Sequence, residues 1–210
     1  MALADRDADR HADRHAGAVL LDKDGTLIED VPYNADPRRI RLAPHAATAL
    51  RCLGATGMPL VVVSNQPGVA LGCFRSESLV LVQQRLAELF RANGARLDGF
   101  FYCPHHPDGR LPGLRARCLC RKPAPGMLLQ AAAWLHFDLK HSWMIGDILD
   151  DIEAGRRAGC TTILVDNGNE TEWRIDSWRE PDYTVQDLDM AARLVERAGR
   201  PGAGPGGEQP

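Results

Sequence analysis

Two aspartates flank a lysine in LLDKDGTL, residues 20–27, at the end of a short apolar run. Side chains on extended backbone alternate, so Asp22 and Asp24 can face the same way. Two carboxylates placed together repel, and a hard divalent ion with oxygen ligands, such as Mg²⁺, relieves that repulsion. One carboxylate could then attack phosphorus while its neighbour protonates the leaving oxygen. These residues alone leave open which aspartate attacks.

Three further segments carry compatible chemistry. VVVSNQPGVA places Ser64 at the end of a second apolar run, where a hydroxyl and backbone N–H groups can bind a phosphate oxygen. RKPAPG places Lys122 ahead of a helix, where an ammonium can neutralise a non-bridging oxygen as charge builds. MIGDILDD sets Asp147 and Asp151 in a G-D-x-x-x-D pattern at a strand-to-helix turn. Asp147 is placed to complete the metal site and Asp151 to orient the loop. Asp150 is read as a helix N-terminal acid that complements the macrodipole.

A second metal signal lies in YCPHHPDGRLPGLRARCLCRKP, with Cys103, His105, Cys118 and Cys120 spaced C-x-H, then C-x-C. Three thiolates and an imidazole suit tetrahedral Zn²⁺ in a closed structural site that pins a loop rich in Gly and Pro. His106 could take the place of His105. Cys52, Cys73 and Cys160 are read as buried small hydrophobes.

These residues need strands and helices to position them. The expected strands are 18–21, 60–63, 99–102, 142–145 and 161–165. The expected helices are 46–53, 77–92, 127–135, 152–158 and 190–197, with Pro125 in a first turn and Gly159 as a C-cap. Short apolar runs alternating with helices imply βαβ units and an α/β, doubly wound parallel sheet. Such sheets bind ligands beyond the carboxyl ends of their strands, where Asp22, Ser64, Cys103 and Asp147 fall.

The 210 residues are 44% hydrophobic, enough for one α/β domain, which is expected over 17–199 between a disordered leader (1–16) and a flexible tail (200–210). A net charge of −3 gives no footprint for nucleic acid or an anionic membrane. No apolar run approaches the roughly 20 residues of a membrane span, and the N-terminus lacks a signal-peptide h-region. A cytoplasmic monomer is the default expectation, and clustered cysteines in a reducing compartment read as metal ligands.

The order Asp-x-Asp-Gly-Thr, Ser-Asn, Lys-Pro, Gly-Asp-x-x-x-Asp resembles the four motifs of the haloacid dehalogenase (HAD) superfamily over residues 18 to about 166. The resemblance implies a Rossmann-like HAD fold and a phosphatase with Asp22 as nucleophile, forming an aspartyl-phosphate. It makes Asp24 the general acid and then the base. Ser64 and Lys122 hold the phosphoryl group, and Asp22, the Asp24 backbone carbonyl and Asp147 bind Mg²⁺. His105 is favoured over His106 from the same pattern.

Among HAD enzymes with such a zinc loop, the segments CPHHPDG, C-x-C-RKP and PGMLL look like heptose 1,7-bisphosphate 7-phosphatases more than histidinol-phosphatases. That resemblance implies a small phosphosugar substrate contacted by Asp30, Tyr33, Ser64, Asn65, Gln66, Arg121 and Lys122. It departs at Leu71 and Ile148, where basic residues are usual. The short connections leave no room for a large cap domain. With the catalytic set intact, an enzyme is expected rather than a binding module. The missing cap argues against a mutase, which must exclude water.

Overall fold

The structure is a computed structural model and describes residues 17–199. The expected leader and tail lie outside the described residues. Six strands form one sheet: β1 (Val19–Leu21), β2 (Leu60–Asn65), β3 (Gly99–Cys103), β4 (Trp143–Gly146), β5 (Thr161–Val165) and β6 (Tyr183–Val185). Every pairing is parallel and the order is β3-β2-β1-β4-β5-β6. The chain reverses its winding around β1, whose Leu21 pairs with Val62 on one side and Ile145 on the other. That reversal opens a crevice at the carboxyl ends of β1, β2 and β4.

Five α-helices cover the sheet: α1 (Ala46–Ala55), α2 (Ser78–Ala92), α3 (Gly126–Leu135), α4 (Leu149–Ala158) and α5 (Leu188–Ala198). The central strands are apolar on both faces because both are buried. Val19, Leu21 and Val62 face α1, α2 and α5 through Leu50, Leu86 and Val195. Ala18, Leu20 and Val63 face the opposite way, onto Met127, Leu128 and Ala131 of α3. Burying one such leucine contributes about 1.5–3 kcal/mol, so this double layer anchors the site. Gly159, at φ 87°, closes α4 in the left-handed conformation expected of a C-cap.

The structure differs from the sequence reading in three places, and the first two have a clear physical cause. β6 was not expected, because only Val185 of its three residues is buried and no apolar run marks it. It is secured by Asp182, whose carboxylate accepts from the Thr162 amide and hydroxyl at 2.8 Å each. Helix α4 begins at Leu149, a turn earlier, because the Glu170 carboxylate accepts from the Leu149 amide at 2.6 Å and caps it. Of the three scattered cysteines only Cys160 is buried. Cys73 is exposed, on the loop after β2, and Cys52 is half-buried with its thiol directed at Glu196. No large cap is inserted between the elements, and no described helix is long and apolar enough to cross a membrane.

Candidate active site

Strand β1 delivers Asp22 at its carboxyl end, where the Asp22 amide donates to the Ile145 carbonyl of β4 at 2.9 Å. The chain then turns sharply: the amides of Leu27 and Ile28 both donate to the Lys23 carbonyl, at 3.1 and 2.9 Å. Gly25 sits in this turn at φ 85°. A Cβ there would lie 2.2 Å from Asp147 Oδ2, so only glycine permits the close approach.

Asp147 follows β4 and is held at both oxygens. Thr26 Oγ1 donates to Oδ1 at 2.7 Å, and Asn169 Nδ2 donates to Oδ2 at 2.8 Å. Neither partner was singled out as a site residue. Thr26 was visible in the D-x-D-G-T run, whereas Asn169 follows β5 in a segment whose only signal is its polar NGNE composition. A neighbouring asparagine, Asn167, donates to the Gly25 carbonyl at 2.8 Å and ties that segment to the turn.

Lys122 crosses from its loop into the crevice. Its ammonium donates to Asp22 Oδ1 and, at 3.0 Å, to the Val63 carbonyl, and pairs with Asp151 Oδ1 at 2.6 Å. It is 2% exposed. Burial alone would pull its pKa down, but the carboxylates of Asp151 and Asp22 outweigh this and hold the ammonium charged. Asp151 also accepts from the Ile148 amide at 3.4 Å, so it joins helix α4 to the lysine. Gly146 leaves space for this carboxylate, since a Cβ would lie 2.3 Å from it.

Ser64 and Asn65 end β2 beside β1. The Asn65 carboxamide donates to the Lys122 carbonyl and accepts from the Lys122 amide, both at 3.0 Å. Ser64 is buried and its Oγ accepts from Gln66 Nε2 at 2.8 Å. Asp24 is more open than Asp22. Burial raises its pKa against the lowering pull of Lys23, whose Nζ donates to Asp24 Oδ1 at 2.5 Å.

Asp22, Asp147 and Asp151 each offer a carboxylate oxygen, and these lie within 4.8 Å of one another. Lys122 pairs with both Asp151 and Asp22, so one ammonium serves two of the three carboxylates and the group keeps an excess of negative charge. Burial, and next the charge of Asp22, push Asp147 up to about 6. A divalent cation with oxygen ligands fits this donor set and removes that penalty.

A cleft of about 270 Å³ lies over these groups, lined by Asp22, Asp24, Asp30, Lys122, Asp147 and Asn169 among others. An adjoining cleft of about 220 Å³ runs past Asp30, Tyr33, Asn65, Gln66 and Phe74. Asp30 and Tyr33 are thus brought to the site. Arg121 lines neither cleft; it exerts its charge on Asp150, and its buried Nη1 lacks a hydrogen-bond partner. Leu71 lines neither cleft, whereas Ile148 does.

The loop from 103 to 120 returns on itself, with the His106 amide on the Leu114 carbonyl at 3.2 Å. It converges Cys103, His105, Cys118 and Cys120 on one point. Sγ of Cys120 is 3.2 Å from Sγ of both Cys103 and Cys118, and 3.3 Å from His105 Nδ1. His106 lies outside the cluster, and its Nδ1 accepts from the Asp108 amide at 3.1 Å. Three thiols and one imidazole in a tetrad this tight match the donor set of tetrahedral Zn²⁺.

Residues 119–191 match the HAD-hydrolase-like family. The chain is 38% identical over 152 residues to the D-glycero-beta-D-manno-heptose-1,7-bisphosphate 7-phosphatase of Yersinia pestis, covering 72% of this chain and 81% of that protein. Its likeness to the same enzyme of Escherichia coli (strain K12) is 37% over 169 residues, covering 76% and 88%. Among solved structures it resembles the D,D-heptose 1,7-bisphosphate phosphatase of B. bronchiseptica complexed with magnesium and phosphate. The TM-score is 0.72 at 26% identity, over 87% of this chain and 99% of that one.

Proposed function

The chain belongs to the HAD-like family of heptose 1,7-bisphosphate 7-phosphatases, and from that premise we propose that it removes the 7-phosphate of D-glycero-D-manno-heptose 1,7-bisphosphate. The observation that carries this reading is the convergence of Asp22, Lys122, Asp151 and Asp147 at the carboxyl ends of β1 and β4 and on the loop before α3.

In this reading Asp22 attacks phosphorus and the sugar oxygen leaves with a proton from Asp24. Asp24, now ionised, takes a proton from water; that water attacks the aspartyl-phosphate, and the Asp22–phosphorus bond breaks to release phosphate. Lys122 and Ser64 hold the transferring group, with charge neutralisation supplied by the ammonium. Asp22, the Asp24 backbone carbonyl and Asp147 would hold Mg²⁺, which would supply charge neutralisation for the phosphoryl oxygens. Asp151 keeps the Lys122 ammonium in place, and Thr26 and Asn169 fix the Asp147 carboxylate.

Asp30, Tyr33 and Asn65 are the substrate contacts favoured by their positions along the two clefts. Cys103, His105, Cys118 and Cys120 would hold Zn²⁺ as a structural ion. That requires reduced thiols, which supports a cytoplasmic setting. A monomer is proposed as the working state.

One observation favours a second substrate. Apart from Lys122, neither cleft is lined by a described Lys or Arg, and Ile148 stands where the family resemblance leads one to expect a basic residue. A second phosphate dianion would meet few cations there, as a monophosphate such as histidinol phosphate would not require. The deciding experiment is phosphate release with Mg²⁺ from both heptose 1,7-bisphosphate anomers and from histidinol phosphate. A preference of order 100-fold in kcat/KM, about 2.7 kcal/mol, for one heptose anomer supports the proposal. A preference of that size for histidinol phosphate overturns it.

A further inference from the structure

Gln66 is 5% exposed and lies beside Asp24 on the wall of the adjoining cleft. Its Nε2 donates to Asp24 Oδ2 at 3.1 Å and to Ser64 Oγ at 2.8 Å. A carboxamide nitrogen carries two hydrogens, so both donors are consumed by the protein and neither is free for a phosphate. Its backbone amide donates to the carbonyl of Cys103, the first residue of the Cys/His cluster, at 2.8 Å. Lys23, 1% exposed, takes the other oxygen of Asp24. Both oxygens are therefore engaged by buried donors, which fixes the plane of the carboxyl group.

We infer that Gln66 is a positioning residue for Asp24, anchored through its backbone to the Cys/His loop. It acts by holding the carboxyl at the angle from which its proton reaches the leaving oxygen. The inference rests on the general-acid role proposed for Asp24 above. The link to Cys103 gives the arrangement a fixed origin, because β2 and β3 are paired at Asn65 and Cys103.

General-acid catalysis matters for a poor leaving group and hardly at all for a good one. A sugar alkoxide needs the proton, whereas 4-nitrophenolate leaves without it. The test compares the intact, metal-loaded protein and Gln66→Met on an alkyl phosphomonoester that the wild type hydrolyses and on 4-nitrophenyl phosphate, following the first turnover of each. The expected result is an about 10- to 100-fold slower first turnover of the alkyl ester, with KM within about twofold, and release of 4-nitrophenolate within about threefold of wild type. Gln66→Asn keeps the polarity but shortens the reach by one methylene, and it should show the same split if methionine is poorly accommodated.

An equal loss on both substrates overturns the inference, and so does a raised KM with unchanged kcat. Asp24→Asn separates the two ideas. If that variant shows no dependence on leaving group, the acid role of Asp24 is wrong. If it shows the dependence and both Gln66 variants do not, only the positioning role of Gln66 fails.

Discussion

The Asn65 side chain and the Lys122 backbone bond each other twice, at 3.0 Å in each direction, across 57 residues of sequence. This pair fastens the loop after the Cys/His cluster to the end of β2. It also sets where the Lys122 ammonium enters the crevice. Asn65→Ala removes both bonds and strands two backbone groups, so it should cost about 1–3 kcal/mol of stability. The same variant should slow turnover by more than it weakens substrate binding, because Lys122 loses its footing. Denaturant unfolding and a kcat-against-KM comparison check both; unchanged kcat would show that Asp22 and Asp151 alone place the lysine.

Asp22→Asn should abolish phosphatase activity while the fold is kept. The substitution removes the attacking oxyanion but leaves Lys122 paired with the fully buried Asp151. A fall of at least about 10³-fold in kcat, equivalent to about 4 kcal/mol, is expected. Near-wild-type circular dichroism should accompany it. A variant that retains more than a small fraction of activity would remove Asp22 as the nucleophile.

Gly25→Ala should impair the cation site more than the fold. The new methyl group would sit 2.2 Å from Asp147 Oδ2 and 2.6 Å from Asn169 Nδ2. Holding alanine at φ 85° adds about 1–2 kcal/mol of backbone strain. The measurement is the Mg²⁺ concentration giving half-maximal activity, which should rise at least about tenfold, a change of about 1.4 kcal/mol. Unchanged Mg²⁺ dependence would mean that Asp147 is not a ligand.

Cys118→Ser should lower bound zinc and loosen residues 103–120 before it touches the chemistry. Sγ of Cys118 lies 3.5 Å from Cys103 and 3.2 Å from Cys120, so its loss opens one corner of the tetrad. Zinc content by elemental analysis and the thermal midpoint should both fall. A hydrogen-exchange map should show the loss of protection centred on this loop. Full zinc occupancy in the variant would remove Cys118 from the ligand set.

Removal of divalent ions from the wild type by a chelator should stop turnover, and added Mg²⁺ should restore it. Asp22 and Asp147 then lose the cation that relieves their repulsion, so the thermal midpoint should also drop and recover with Mg²⁺. Activity that persists after exhaustive chelation would remove Mg²⁺ from the reaction.

Much of this arrangement was legible in the sequence. Apolar runs ending at Asp22, Ser64 and Asp147 announce strands buried on both faces, because a side chain flips face at each residue and both faces are covered. The spacing of Cys103, His105, Cys118 and Cys120 likewise announces a chelating loop, since thiols and imidazole placed in pairs suit one tetrahedral ion. Local spacing carries no information on partners far away in sequence. Lys122 meets Asp22 across 100 residues, and Thr26 meets Asp147 across 121, only because β1 lies between β2 and β4. The same distance hid Asn169 and β6, whose signals are polar and short. Between His105 and His106 the sequence offers two adjacent imidazoles; the folded loop brings His105 to the three cysteines, while His106 Nδ1 accepts from the Asp108 amide. Periodicity and residue chemistry thus determined which groups end the strands. Strand order and loop closure, which depend on contacts between distant segments, decided which of those groups touch.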